Sequence, residues 1–204
     1  MEFKLYGSVF SRTFRCIWTF HELEIPFEHI SVALNSDELR SKDFLSKNPN
    51  GKVPVLQVDG QYIFESAAIC SFLAQQRIDK FLIPAEGTIE RAKCEQWLFF
   101  VMSELEQPLW TIAKHGHIYK EDKRVEAVIS TAIWEFEQAY RIIEKSLGNN
   151  DYILNEFTLA DIFIAQTFFW ANKTTGIEID SEVIQNYLQK LKSRPHFPNI
   201  KKYI

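Results

Sequence analysis

Ser11 is the first residue whose type and position could do chemistry. It follows a short stretch of alternating apolar and polar residues, Phe3 to Tyr6. A helical pattern begins after it, with apolar residues at Phe14, Ile17 and Trp18. A hydroxyl at a helix start lies beside unpaired backbone N–H groups and the positive end of the helix dipole, which favours a bound anion. The position also suits a serine that only caps the helix, so the pattern leaves both roles open.

Two dipeptides stand at other predicted element boundaries. Val53-Pro54 follows the polar run Asn48 to Lys52 and opens a predicted strand. Such X-Pro bonds are ordinarily trans, with cis at about 5–6% of them, so the pattern gives no reason to expect cis. Glu65-Ser66 directly precedes another helical pattern, where Ser66 is predicted to be the N-cap residue. Both dipeptides are typical of ordinary structural boundaries.

A capping box is predicted late in the chain. Phe157 to Asp161 reads Phe-Thr-Leu-Ala-Asp. In this pattern Thr158 accepts from the N3 amide, and the Asp161 carboxylate accepts from the cap residue's own N–H. We therefore expect Thr158 and Asp161 to be structural.

Two other groups of residues are candidates for ligand sites. His115 and His117 have no cysteine or carboxylate neighbours in a ligand spacing, so a solvated helix end is expected and no metal site is predicted. Most aromatic residues fall at helical spacing and are expected in the core. Phe10, Trp110 and Tyr119 are the three that we predict to line a pocket.

The first eighty residues, which must position these side chains, alternate between strand and helix patterns. The predicted strands are Phe3–Tyr6, Phe27–Val32, Val53–Val58 and Tyr62–Phe64. A helix between the first two strands makes them parallel, whereas Asp59-Gly60 between the last two is a strong signal for an antiparallel hairpin. With a helix after the hairpin, the order predicts a thioredoxin-like α/β domain, βαβ-ββα.

The strand pattern disappears from Thr88 onward. The predicted helices are Glu90–Lys114, Lys123–Leu147, Thr158–Ala171 and Ser181–Lys192. Pro108 is expected to bend or interrupt the first of them. The sequence therefore predicts a thioredoxin-like domain over residues 1–81, a linker over 82–87 and an all-helical C-terminal domain over 88–204.

Composition excludes several classes of protein. With 204 residues, 46% hydrophobic and 25% charged, the chain is expected to fold into one or two domains. Lys plus Arg number 23 and Asp plus Glu 27, so 23 − 27 gives a net charge of −4, which argues against a nucleic-acid partner. The 3 cysteines form no C-x-x-C pair, so neither a disulfide framework nor a thiolate zinc site is indicated.

Targeting, membrane and nucleotide motifs are not recognised. The longest purely apolar run is the six residues Trp97–Met102, so no membrane association is expected and a cytoplasmic location is the default. The glycines are never closer than nine positions, which excludes the G-x-G-x-x-G and P-loop motifs of nucleotide-binding proteins.

The motifs taken together closely resemble those of the cytosolic glutathione S-transferases. They are Ser11-Arg12-Thr13-Phe14-Arg15, the Asn48–Leu56 stretch, Phe64-Glu65-Ser66 and the Phe157–Ile162 stretch. The resemblance covers nearly the whole chain and is to the serine-type classes, namely theta, phi and many bacterial members. It implies a cytoplasmic homodimer with a detoxification role, which uses glutathione as co-substrate and needs no other cofactor.

The resemblance also implies roles for individual residues. Ser11 would be catalytic, its hydroxyl donating to the glutathione sulfur. Val53, before a cis-Pro54, would pair its backbone with the cysteinyl part of glutathione. The Glu65 carboxylate would take the γ-glutamyl ammonium and Ser66 the γ-glutamyl carboxylate. The glycyl carboxylate would meet Lys52, and less securely Arg40.

The implied activity is conjugation of glutathione to small hydrophobic electrophiles. Two alternatives remain open at this point: a glutathione-dependent reductase of peroxides or disulfides, and a non-catalytic binding scaffold. No cysteine stands at the Ser11 position, so thiol transfer through a protein mixed disulfide is disfavoured.

Overall fold

The N-terminal half contains one four-stranded sheet. The computed structural model describes residues 1–203 of the chain, apart from the side chains of Lys173 and Thr174. The strands are β1 (Phe3–Tyr6), β2 (Glu28–Ile30), β3 (Val55–Val58) and β4 (Gln61–Phe64). Their order in the sheet is β2-β1-β3-β4, with β1 parallel to β2 and antiparallel to β3, and β3 antiparallel to β4. The predicted thioredoxin-like topology is confirmed.

Three α-helices accompany this sheet. They are α1 (Thr13–Glu22), α2 (Lys42–Lys47) and α3 (Ser66–Gln76). Helix α2 was not predicted, because its short polar sequence carries no periodic apolar stripe. It begins where the Ser41 hydroxyl accepts from the Phe44 N–H at 3.1 Å, and Phe44 is its buried residue. A single capping residue and one apolar anchor therefore suffice to define it.

The rest of the chain is helical up to Lys192. Its α-helices are α4 (Ile89–Phe100), α5 (Glu106–Ala113), α6 (Ala127–Leu147), α7 (Leu159–Trp170) and α8 (Glu182–Lys192). The predicted all-helical character is confirmed. The interruption that Pro108 was expected to cause lies just ahead of it: a π-helical turn, Val101–Leu105, separates α4 from α5. Pro108 is the third residue of α5, and the carbonyl with which its ring would clash, that of Glu104 four residues earlier, lies in this π-helical turn.

Helix α7 is the central helix of the helical half. Every residue from Leu159 to Phe168 is buried, as expected for a helix that is apolar on all sides. The predicted capping box at its start is confirmed, with Thr158 and Asp161 satisfying each other's backbone N–H groups. The Asp161 carboxylate also accepts from the Ile153 N–H at 2.9 Å and from the Tyr187 hydroxyl at 2.8 Å. Asp161 therefore joins the preceding loop and α8 to α7.

The titration of Asp161 predicts a pH dependence of stability. Burial raises the pKa of Asp161 from 3.8 to about 6, against hydrogen bonds that lower it. Between these values the folded protein keeps a proton that the unfolded chain has lost, so this group's contribution to stability falls as pH rises. We expect the difference in unfolding free energy between wild type and Asp161→Asn to fall by about 2–3 kcal/mol from pH 4 to pH 7. Urea titrations across this range measure it, and a difference that grows with pH would contradict the assignment.

The C-terminal segment packs with the N-terminal half. The chain forms two compact units: Met1–Pro84 with Arg194–Ile204, and Ala85–Ser193. The Arg194 guanidinium donates two hydrogen bonds, of 2.8 and 2.7 Å, to the buried Glu22 carboxylate. The ring of Phe197 lies edge-on to Phe14 at 5.8 Å and to Trp18 at 4.9 Å. The predicted domain boundaries assign this segment to the helical half. Its residue pattern is too short to indicate which hydrophobic core it packs against.

Candidate functional site

Strand register brings three predicted site segments of the first unit to one end of the sheet. Tyr6 pairs with Val55, and Val55 pairs with Phe64. The loop after β1, the residues before β3 and the start of the helix after β4 therefore meet at that end. A Cβ placed on Gly7 would lie 3.0 Å from Cβ of Val53, which shows how closely the first two segments approach.

Ser11 lies in the β1–α1 loop and is partly buried. Its Oγ lies 2.7 Å from the Ser8 carbonyl oxygen, 3.1 Å from the Thr13 amide nitrogen and 2.9 Å from Thr13 Oγ1. The cap position of α1 is held by Arg12, which makes no side-chain cap bond. Ser11 instead accepts from the first N–H of the helix, so its hydroxyl is fixed at the positive end of α1.

The Val53-Pro54 peptide bond is cis, as the resemblance implied and the residue pattern did not. Asn48, almost fully buried, shapes the turn before it: its side chain donates to the Lys52 carbonyl at 2.7 Å and accepts from the Asn50 N–H at 3.0 Å. Asn48 belongs to the Asn48–Leu56 motif, but the motif alone does not predict that its side chain shapes this turn. An asparagine directly before a proline and three residues before a glycine is the signal for such a turn.

Glu65 and Ser66 lie at the start of α3, with their helix roles shifted by one residue from the prediction. Glu65, not Ser66, holds the cap position, with φ 71° and an exposed side chain. Ser66 is the first residue of the helix and is buried. Its Oγ accepts a 3.5 Å contact from Nη1 of Arg15, whose guanidinium is fully buried in α1. A positive charge and a helix N-terminus therefore both lie at Ser66, a setting that favours an anion.

Lys52 and Arg40 are solvent-exposed. Lys52 directly precedes Val53, on the turn that Asn48 shapes. Arg40 ends a short 3-10 turn, Asp37–Arg40, ahead of α2. Any charge interaction that they make with a ligand is therefore screened by solvent.

The three residues predicted to line an apolar pocket lie in different places. Phe10 is 55% exposed in the β1–α1 loop of the first unit. In the second unit, Trp110 of α5 lies edge-on to Trp170 at 5.4 Å, and Tyr119 lies edge-on to His115 at 5.3 Å. Their shared role in a pocket stays a prediction.

The three cysteine side chains lie in the interior. Cys16, Cys70 and Cys94 are all free and buried. Cys16 and Cys70 lie with their sulfurs 3.8 Å apart, and burial raises the pKa of Cys16 well above its usual range. Burial therefore disfavours the thiolate form of Cys16.

His115 has a local structural partner. Its Nδ1 accepts from the Val125 N–H at 3.0 Å. Across residues 1–203 no group of three or more His, Cys, Asp or Glu side chains is arranged to hold a metal ion. Over the same residues no helix is both long and apolar enough to cross a membrane.

Comparison with known proteins places this fold and these segments in one family. A family model for the glutathione S-transferase N-terminal domain matches residues 1–75. Glutathione S-transferase hmp2 of Hypomyces subiculosus is 31% identical over 80% of this chain and 79% of its own length. Glutathione S-transferase F13 of Arabidopsis thaliana is 29% identical over 97% of this chain and 94% of its own.

A solved structure extends the likeness to the full fold. The glutathione transferase from Methylococcus capsulatus str. Bath has a TM-score of 0.84 to this chain at 25% identity, over 98% of this chain and 97% of that one. The likeness thus includes the helical half, which the family model does not reach. On fold, sequence identity and coverage, this chain belongs to the glutathione S-transferase family, whose members are transferases that use glutathione as a co-substrate.

Proposed function

We propose that this protein activates the thiol of glutathione with Ser11 and conjugates it to small hydrophobic electrophiles. The observation that supports this most directly is the convergence of Ser11, Val53-cis-Pro54 and Ser66 at one end of the sheet. Helices α1 and α3 both begin there, so two positive helix termini face the region where a thiolate and a carboxylate would bind.

One serine hydroxyl can supply the free energy needed to lower the pKa of the glutathione thiol. Lowering the pKa of a free thiol from about 8.5 to about 6.5 requires roughly 2.7 kcal/mol of preferential interaction with the thiolate. A hydrogen bond to a charged group supplies about 1.5–3 kcal/mol, and a helix N-terminus adds about 0.3–1 kcal/mol. Ser11 at the start of α1 therefore accounts for the activation without a metal or another cofactor.

Other residues of the first unit hold the rest of the tripeptide. The Val53 backbone pairs with the cysteinyl part, held in register by the cis-Pro54 bond. The exposed Glu65 carboxylate takes the γ-glutamyl ammonium. Ser66, backed by the buried charge of Arg15, takes the γ-glutamyl carboxylate. Lys52 and Arg40 attract the glycyl carboxylate from solvent.

The reaction is a nucleophilic substitution or addition. The thiolate sulfur forms the new bond to the electrophilic carbon, and in a substitution the leaving group departs with the electron pair. Phe10, which is exposed in the β1–α1 loop, contacts the apolar second substrate. In the cell the protein acts as a cytoplasmic homodimer in detoxification.

Replacing Ser11 by alanine tests the proposal. We expect the pKa of enzyme-bound glutathione to rise by about 1–2 units, because the thiolate loses one charge-assisted hydrogen bond. The ultraviolet absorbance of the thiolate, titrated against pH with glutathione bound, measures the change. Ser8→Ala is the matched control, since it removes a hydroxyl from the same loop but keeps the Ser8 carbonyl.

The outcomes separate the alternatives. An unshifted thiol in the wild type, or no change in Ser11→Ala, would remove the serine assignment. Absence of glutathione binding would favour a non-catalytic scaffold. With an activated thiol, comparing turnover of an aryl halide, a hydroperoxide and a small disulfide distinguishes conjugation from reduction.

A further inference from the structure

Thr13 makes two contacts with the Ser11 hydroxyl oxygen. Its amide nitrogen lies 3.1 Å from Ser11 Oγ, and its own Oγ1 lies 2.9 Å from the same atom. The carbonyl of Ser8 lies 2.7 Å from Ser11 Oγ on another side. Three polar groups therefore surround one hydroxyl that has a single proton and two lone pairs.

The chemistry of these groups determines which atom donates in each hydrogen bond of the Ser11 hydroxyl. The Ser8 carbonyl can only accept, so Ser11 gives it its proton. The Thr13 amide can only donate, and it occupies one lone pair of Ser11. Because the Ser11 proton is used on the carbonyl, the contact between the two hydroxyls requires Thr13 to donate to the second lone pair.

The first turn of α1 leaves space for this hydroxyl only because residue 7 is glycine. Gly7 directly follows β1 with φ +149°, and a Cβ placed on it would lie 2.1 Å from Thr13 Oγ1. Thr13 is itself fully buried. The Thr13 hydroxyl is thus held against Ser11 by close packing and is shielded from solvent.

We propose that Thr13 is the positioning residue for Ser11, an inference that rests on the proposed function. When glutathione binds, the Ser11 O–H turns from the Ser8 carbonyl to the sulfur. Thr13 then keeps both lone pairs of Ser11 occupied, which orients the remaining O–H and makes it a stronger donor, because hydrogen bonds in a chain polarise one another. Thr13 touches neither substrate and acts only through Ser11.

The test is the pKa of enzyme-bound glutathione in Thr13→Val, which removes the hydroxyl with little change of volume. We expect this pKa to rise by about 0.3–1 unit, less than in Ser11→Ala. Thr13→Ser, which restores a hydroxyl, is expected to return the pKa to the wild-type value. In the double variant Ser11→Ala with Thr13→Val, no shift beyond that of Ser11→Ala is expected, because Thr13 has no partner left.

Thr19→Val is the matched control. Thr19 lies in the same helix, is equally buried, and donates its hydroxyl to the Arg15 carbonyl at 2.8 Å, away from Ser11. The Thr19→Val variant loses a comparable buried hydroxyl, but the pKa of its bound glutathione thiol should be unchanged. If Thr13→Val does not fold, Thr13→Ala removes the hydroxyl without adding a methyl beside Gly7 and takes its place.

The results distinguish this inference from the proposed function. A shift in Ser11→Ala with none in Thr13→Val or Thr13→Ala would overturn the role of Thr13 and leave the function standing. A further shift in the double variant would show that Thr13 acts on the thiol independently, which also overturns positioning. No shift in Ser11→Ala would remove the proposed function itself.

Discussion

Asp161→Ala should lower the free energy of unfolding by about 3–5 kcal/mol at pH 7. The carboxylate accepts from the Ile153 N–H, the Thr158 N–H and the Tyr187 hydroxyl at 2.8–2.9 Å, and all three donors are buried. Alanine leaves these donors without their acceptor, and each buried unsatisfied donor costs about 1–3 kcal/mol. Urea unfolding followed by circular dichroism measures the loss.

The control for this prediction is Asp122→Ala. Asp122 is exposed and pairs with its neighbour Lys123 at 3.3 Å, so a change within about 0.5 kcal/mol is expected. Tyr187→Phe removes one donor rather than the acceptor and should cost only about 1 kcal/mol. Equal losses in Asp161→Ala and Asp122→Ala would show that the network carries no stability.

Arg194→Ala should destabilise the protein by about 2–4 kcal/mol, because it leaves the Glu22 carboxylate buried without its guanidinium partner. The Glu22 side chain is only 5% exposed. After the change, the Trp18 indole N–H remains as a donor to it at 2.9 Å. One neutral donor does not replace two charge-assisted bonds.

Arg141→Ala is the matched control for Arg194. Arg141 pairs with Glu144 at 3.7 Å on the surface of α6 and is 62% exposed, so its loss should cost less than about 0.5 kcal/mol. Limited proteolysis adds a local measurement, since the segment after Arg194 should be cut faster in Arg194→Ala. Unchanged stability and cleavage would mean that the ion pair does not anchor the segment.

Much of the fold was predictable because its signals are local. The Asp59-Gly60 hairpin, the parallel β1–β2 pair and the capping box of α7 each depend on a few neighbouring residues. Helix α7 was predicted to within one residue at each end, because its residues are mostly apolar and the capping box marks its start. These features follow from turn chemistry and periodicity alone.

Other features depend on contacts between residues distant in sequence, and the sequence alone did not show them. The cap at α3 is Glu65 rather than Ser66, because the helix starts one residue earlier than the serine preference suggested. The contact between Arg15 and Ser66 and the packing of Phe197 on Trp18 join segments that no local pattern connects.

In the candidate site, too, some features follow from local sequence and others depend on contacts between distant residues. Motif spacing found the segments that carry Ser11, Val53 and Glu65, but strand pairing had to be known before they could be brought together. Thr13 was part of a quoted motif without a role, since only the structure shows that Gly7 makes room for its hydroxyl. A Ser-x-Thr pattern at a helix start, preceded by a glycine, was the available signal.

The first compact unit is discontinuous in the chain, with the whole helical unit inserted before its final segment. A ribosome therefore delivers the residues that cover Trp18 and neutralise Glu22 only after α4 to α8 have been made. Until then, the nascent first unit lacks the Phe197 ring that packs on Trp18 and the Arg194 guanidinium that pairs with Glu22. We therefore expect the N-terminal half to reach its full stability only after the C-terminal segment has been synthesised, although domains usually fold in the order in which they emerge.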